Sequence, residues 1–117
     1  MHELSICQAL IDQVEDLARE HGAVAIHCIH LQVGPLSGVE IPLLENAYPL
    51  AAAGTVAEQA ELVIESMPVR VRCKSCGAET EATANRLLCA ECNDYHTELL
   101  SGDEMVLSRL EFDRQTV

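Results

Sequence analysis

The chain has 117 residues, enough for one modest core, but it lacks Trp and has only Tyr48, Tyr95 and Phe112 as aromatic residues, so aliphatic packing must dominate. Its formal net charge of -12 is spread on both sides of Cys73, which argues against a nucleic-acid binder and favours cations or basic partner surfaces. The longest apolar stretches fall far short of the roughly 20 residues that cross a bilayer, and Met1 is followed by His2 and Glu3 rather than by a basic and apolar leader. Six cysteines without such a leader read as a reduced, cytoplasmic protein.

The first element is a helix. Leu4, Cys7, Leu10, Ile11, Val14, Leu17 and Ala18 recur at three- and four-residue intervals, predicting one apolar face over about Glu3 to His21, with Gly22 at the left-handed cap position. Ala23 to Val33 carries Val24, Ile26, Ile29, Leu31 and Val33 and reads as a strand ending at Gly34-Pro35. A second helix is predicted after Ser37-Gly38, with Val39, Leu43, Leu44, Ala47 and Leu50 on one side and Pro42 in its first turn. Pro49 should kink this helix or end it early, because proline removes a backbone donor and clashes with the preceding turn. Glu61 to Met67 and Val69 to Arg72 are β-rich runs broken at Pro68, and Glu104 to Phe112 is a closing strand after the Ser101-Gly102-Asp103 turn.

Between these runs Cys73, Cys76, Cys89 and Cys92 form two C-x-x-C pairs with twelve residues between them, the spacing of a closed tetrahedral Zn(II) site. Gly77 and Asn93 each follow the second cysteine of a pair and tolerate the positive φ that a tight metal knuckle needs. Rubredoxin-like iron uses the same ligand set, but nothing else in the chain supports electron transfer. His96, four residues past Cys92, reads as an exposed loop histidine and only secondarily as a hydrogen-bond donor to the ligands or an occasional substitute ligand. A site closed by four cysteines leaves no vacancy for hydrolysis, so an enzyme is not expected.

The amino terminus offers a different chemistry. The α-amine of Met1 with the amide nitrogen and imidazole of His2 can close one five-membered and one six-membered chelate ring, and Glu3 can add a fourth donor. This nitrogen-rich set suits Ni(II) or Cu(II). The first amides of a helix have no intrahelical acceptor, so turning one towards a metal sacrifices no helical hydrogen bond. Cys7 lies one turn further on and reads as a buried thiol of the apolar stripe; His27, Cys28 and His30 cannot all chelate one ion from a regular strand and read as packing or edge residues. His21 reads as a partner of the first helix's terminal carbonyls.

Met1-His2-Glu3 with Ser5-Ile6, the Val33-Gly34-Pro35-Leu36-Ser37-Gly38 turn, Gly54-Thr55, Ala60-Glu61-Leu62 and Ser101-Gly102-Asp103-Glu104 around a four-cysteine module resemble the HypA/HybF family of hydrogenase nickel-incorporation proteins. The resemblance spans essentially the whole chain. It implies a non-enzymatic nickel metallochaperone that works with the GTPase HypB and delivers Ni(II) to the large subunit of nickel-iron hydrogenase. His2 would be the essential nickel ligand, and Cys73, Cys76, Cys89 and Cys92 the structural Zn(II) ligands. The expected architecture is α+β: two helices on a roughly three-stranded sheet form a nickel domain of residues 1–68 plus 103–117, with a zinc module of residues 69–102 inserted. A monomer or weak homodimer is expected. The alternative is a zinc-ribbon interaction module without transferable metal, and the sequence leaves open whether clients other than hydrogenase are served. Two features depart from the family pattern: Ala90-Glu91 and Asn93 stand in the second knuckle where proline and glycine are more usual, and Pro49 interrupts a helical region.

Overall fold

A computed structural model describes residues 2–114. Helix α1 spans His2–His21, and its buried residues Glu3, Cys7, Leu10, Ile11, Val14 and Ala18 follow the apolar stripe of the sequence. Glu3 in the first turn and Arg19 and His21 in the last complement the helix dipole. Gly22, at φ 67°, ends the helix in a conformation that a side chain would resist.

Strand β1, Ala23–Val33, follows directly and is the middle strand of a sheet ordered β2-β1-β6. Its buried positions shift phase between Cys28 and Ile29, from Ile26 and Cys28 to Ile29, Leu31 and Val33.

Helix α2 spans Ile41–Ala52 with Pro42 in its first turn, where a missing N–H costs nothing. It continues through Pro49, contrary to an early ending at that residue. Pro49 leaves the carbonyl of Glu45 without its helical donor, but both residues lie on the exposed side, where water can serve that oxygen. Helix α1 packs against α2, and the Cys7 thiol donates to the Leu44 carbonyl at 3.6 Å. Tyr48 on the buried side donates to the carbonyls of Ala57 at 3.1 Å and Ala60 at 3.4 Å, which ties α2 to the turn after it. Burial, and then the nearby thiols of Cys7 and Cys28, push the Tyr48 hydroxyl up to about 12, so it remains a donor.

The remaining strands are β2 (Glu61–Ser66), β3 (Val69–Cys73), β4 (Glu79–Ala82), β5 (Thr97–Ser101) and β6 (Met105–Arg114). Pro68 separates β2 and β3, which belong to different sheets, and β6 joins β1 as the closing strand. A second sheet, β4-β3-β5, was not foreseen from the sequence. Both of its pairings are antiparallel; Arg72 lies opposite Glu79 on one side, and Cys73 opposite Thr97 on the other. The fold is thus α+β, with two helices and two three-stranded sheets.

The chain divides into two compact units. Among the described residues the first comprises 2–31, 40–64 and 107–114; the second comprises Gln32–Val39 and Glu65–Val106. Aliphatic side chains of α1, β1 and α2 dominate the first core, including Leu10, Ile11, Val14, Ile29 and Leu44, each at most 3% exposed. Full burial of such a side chain contributes roughly 1.5–3 kcal/mol. No helix among the described residues is long and apolar enough to cross a membrane.

Within the second unit, the Val33–Gly38 and Ser101–Glu104 turns are bonded to each other. The Gly34 amide donates to the Glu104 carbonyl and the Leu36 amide to that of Gly102, both at 2.8 Å. A Cβ on Gly34 would lie 2.1 Å from the Gly102 oxygen, a backbone atom that cannot swing aside. Gly34→Ala should therefore cost about 3 kcal/mol, the upper part of the range for overpacking. Denaturant unfolding of the metal-loaded variant checks this; an unchanged midpoint would show that the two turns are not closely apposed.

Candidate metal centres

The second unit holds a four-sulfur cluster. Cys73 ends β3, Cys76 follows in a turn, and Cys89 and Cys92 lie in the segment before β5. Two similar backbone turns present them. In the first, the Gly77 amide donates to the Cys73 carbonyl at 3.0 Å and the Cys76 amide points to Cys73 Sγ at 3.4 Å. In the second, the Asn93 amide donates to the Cys89 carbonyl at 2.9 Å, while the amides of Glu91 and Cys92 point to Cys89 Sγ at 3.4 and 3.5 Å. Gly77 and Asn93 have φ of 78° and 64°, and Asn93 is the sole described non-glycine residue with positive φ. Ala90 and Glu91 therefore leave the second turn intact.

The four Sγ atoms lie within 4.8 Å of one another, with Cys73–Cys92 at 3.5 Å and Cys76–Cys89 at 3.6 Å. Tetrahedral zinc–thiolate bonds of about 2.3 Å place sulfurs about 3.8 Å apart, so an ion fits after a small expansion. The amides also prepare the ligands electrostatically. The Cys92 amide, with that of Glu91, pulls Cys89 down to about 7; the Cys76 amide lowers Cys73 likewise. At Cys92 the Asp94 amide acts in the same direction, but the hydrogen bond with Cys73, burial and the hydrogen bonds with Cys76 and Cys89 together outweigh it and push the thiol up to about 12. The amides thus favour the thiolate at Cys73 and Cys89, while at Cys76 the Ala78 amide is outweighed by hydrogen bonds with Cys89 and Cys73 and by burial, which push the thiol up; a cation would displace any thiol proton. All six cysteines are free thiols.

His96 lies outside this cluster. Its Nδ1 meets Asp94 Oδ1 at 3.0 Å, and Asp94 also accepts from the His96 amide at 3.2 Å and from the Ser75 hydroxyl. Those bonds, that from Ser75 first, hold the Asp94 carboxyl down at about 2. Asp94 thereby links both sides of the sulfur cluster, while the imidazole remains more than half exposed.

At the other candidate site, His2 opens α1 and is exposed, whereas Glu3 is only 8% exposed. Glu3 lines a groove of about 260 Å³ between α1 and α2 with Leu4, Leu43, Asn46, Ala47 and Leu50. Met1, whose α-amine is the remaining predicted donor, lies outside the described residues. Cys7 is fully buried; burial first, and then the charge of Glu3, push its thiol up, as befits a packed residue that donates to a carbonyl.

The strand histidines find acids that the sequence reading did not connect to them. His27 Nε2 lies 2.8 Å from Asp113 Oδ2, exposed on both sides. His30 Nε2 lies 2.6 Å from Glu111 Oε2 and 3.3 Å from Cys28 Sγ, and these three residues form a second cluster of possible ligand atoms. Cys28 and His30 share a face, as strand alternation predicts; His27 is not part of the cluster.

A family model described as "Hydrogenase/urease nickel incorporation, metallochaperone, hypA" matches residues 1–112. The chain belongs to the HypA family. It is 50% identical over 111 residues to the hydrogenase maturation factor HypA of Nitrosospira multiformis, covering 95% of this chain and 96% of that one. It is 42% identical over 113 residues to HypA of Aquifex aeolicus, with 97% and 98% coverage. The solution structure of the Ni metallochaperone HypA from Helicobacter pylori superimposes with a TM-score of 0.73 at 25% identity, covering 97% of this chain and 98% of that one. Another HypA solution structure gives 0.75 at 26% identity, with 98% of both chains covered. Membership places the chain among nickel-incorporation metallochaperones and maturation factors rather than known catalysts.

Proposed function

We propose that this HypA family member carries Ni(II) at its amino terminus and hands it, with a HypB-type GTPase, to the large subunit of nickel-iron hydrogenase in the cytoplasm. The observation that supports this most is the Met1-His2-Glu3 start at the head of α1 in a chain matched by the nickel-incorporation model from residue 1. The ligands of the cargo are the Met1 α-amine, the His2 backbone and imidazole nitrogens, and Glu3. An exposed imidazole on the first helical residue has few tertiary restraints, so donors can be exchanged one at a time during handover. Residues 1–68 and 103–117 make up the nickel-handling domain.

Cys73, Cys76, Cys89 and Cys92 in the module of residues 69–102 hold Zn(II). Sulfur donors at these separations suit that ion, which when bound supplies a structural cross-link and no open coordination position. Division of labour follows from the donor sets: a soft, closed cage retains its metal, while an exposed nitrogen-rich terminus releases one.

Titration of protein with its native terminus and its zinc in place should show one tightly bound Ni(II) per chain. Loading should weaken as pH falls, because protons compete for amine and imidazole nitrogen. Absence of nickel uptake would favour the reading of a zinc-ribbon interaction module without transferable metal.

A further inference from the structure

Cys28 Sγ, His30 Nε2 and Glu111 Oε2 converge, each within 4.8 Å of the others. Both short distances, 3.3 Å to the sulfur and 2.6 Å to the carboxylate, end on the same ring nitrogen. A Cys–His–acid relay would use the two ring nitrogens separately, one for each partner. In the metal-free protein, protons on Nε2 and on the Cys28 thiol hold the three groups together, both turned towards Glu111. A cation can take the place of those protons, because the imidazole lone pair, a thiolate and a carboxylate can all point to it.

We propose that Cys28, His30 and Glu111 form a second metal site, which takes an exchangeable borderline divalent ion such as Zn(II) or Co(II) with one coordination position open. Sulfur and imidazole donors select such ions over Mg(II) or Ca(II), whose preferred ligands are oxygen. Metal–ligand bonds of about 2.0–2.3 Å in tetrahedral geometry separate S, N and O donors by about 3.3–3.6 Å. The sulfur–nitrogen pair is already at that distance. The carboxylate must retreat by less than about 1 Å to reach the same spacing, and Glu111, 42% exposed at the end of a long side chain, has room to do so. Arg109 Nη2 lies 3.7 Å from the other carboxylate oxygen, Oε1, so the guanidinium orients Glu111 without occupying the metal-facing atom.

The surroundings suit an exchangeable site. Cys28 is 9% exposed and the His30 side chain 19%, so the ion would rest on a protected floor and open outward past Glu111. The charge of Glu61 on β2 also reaches Cys28 and adds to the attraction for a cation. The site is independent of the terminal nickel reading and stands or falls without it.

The full chain with zinc in its four-cysteine cage should be dialysed against excess Co(II), with zinc per chain measured before and after. Thiolate-to-cobalt charge-transfer absorption reports the site, because Met1, His2 and Glu3 supply no thiolate. The expected result is one thiolate-ligated cobalt per chain, lost in Cys28→Ser, retained in Cys7→Ser and weakened at least about tenfold in Glu111→Gln. Circular dichroism and retained zinc establish that the variants fold; Glu111→Gln, on the exposed side, provides the test should Cys28→Ser misfold. Absence of the band in the wild-type chain, its persistence in folded Cys28→Ser, or undiminished affinity in Glu111→Gln would overturn the proposal.

Discussion

Cys89→Ser should unfold the second unit while leaving α1 and α2 folded. The buried apolar side chains of that unit among the described residues are Val33, Val69, Val71, Cys73 and Cys89, and two of these five are themselves proposed ligands. Three valines at roughly 1.5–3 kcal/mol each cannot offset the ordering of a segment such as Glu65–Val106, where each residue costs about 1–2 kcal/mol in backbone entropy. Hydrogen bonding across β4-β3-β5 recovers part of this, but β4 has only four residues and β5 five. A structural Zn(II) contributes about 10–16 kcal/mol at neutral pH, the magnitude that such a unit lacks. Amide NMR spectra should therefore show collapsed dispersion for β3, β4 and β5, and native shifts for α1 and α2. Strong chelation of the wild-type protein should produce the same pattern, reversed by added zinc. Dispersed β3–β5 amides in metal-free protein would refute the assignment of a folding role to the sulfur cluster. Acidification should act in the same direction: uptake requires deprotonated thiols, so protons compete more strongly at low pH.

The same energetics explain what could be read in advance. Helix α1 and strand β1 are legible because local pattern and burial agree: the three- and four-residue spacing from Leu4 to Ala18 is the buried face, and Gly22 stops it in the left-handed conformation. The knuckles are legible because ligand spacing and backbone demand coincide at Gly77 and Asn93. Strands β4 and β5 lack such a signal. Glu-Thr-Glu-Ala is a poor strand former on its own, and its pairing with β3 is set by a turn that the cysteines organise, with Arg72 holding Glu79 at 3.0 Å across the pair. Glu111 was missed for a related reason. It meets His30 across 81 residues of chain, and only the pairing of β6 with β1 brings them together. Whether Pro49 would end α2 could not be read in advance because its cost depends on exposure: a carbonyl stripped of its donor is expensive inside a core and cheap on the wet side of α2.

His2→Ala should abolish stoichiometric Ni(II) binding and leave zinc content and fold unchanged. The imidazole is the only side-chain nitrogen among the proposed terminal donors, and its loss opens the six-membered chelate ring. Glu3 cannot substitute, since a lone carboxylate oxygen is a harder donor than nickel prefers and the residue is largely buried against α2. The affinity loss should therefore exceed the 10- to 100-fold that follows removal of an outer hydrogen-bond partner from a metal site. Structure should be spared: His2 is exposed and contributes nothing to the core formed by Cys7, Leu10, Ile11 and Val14. Calorimetric titration of wild-type and variant chains with native termini, alongside metal analysis, measures both consequences. An uncleaved extension before Met1 should weaken binding too, because it converts the α-amine into an amide that is not a ready donor at neutral pH. If His2→Ala retains one tightly bound nickel, the terminal site is wrong, and the cargo must be sought among the sulfur-bearing clusters. If only the extended chain binds normally, Met1 leaves the ligand set while His2 stays in it.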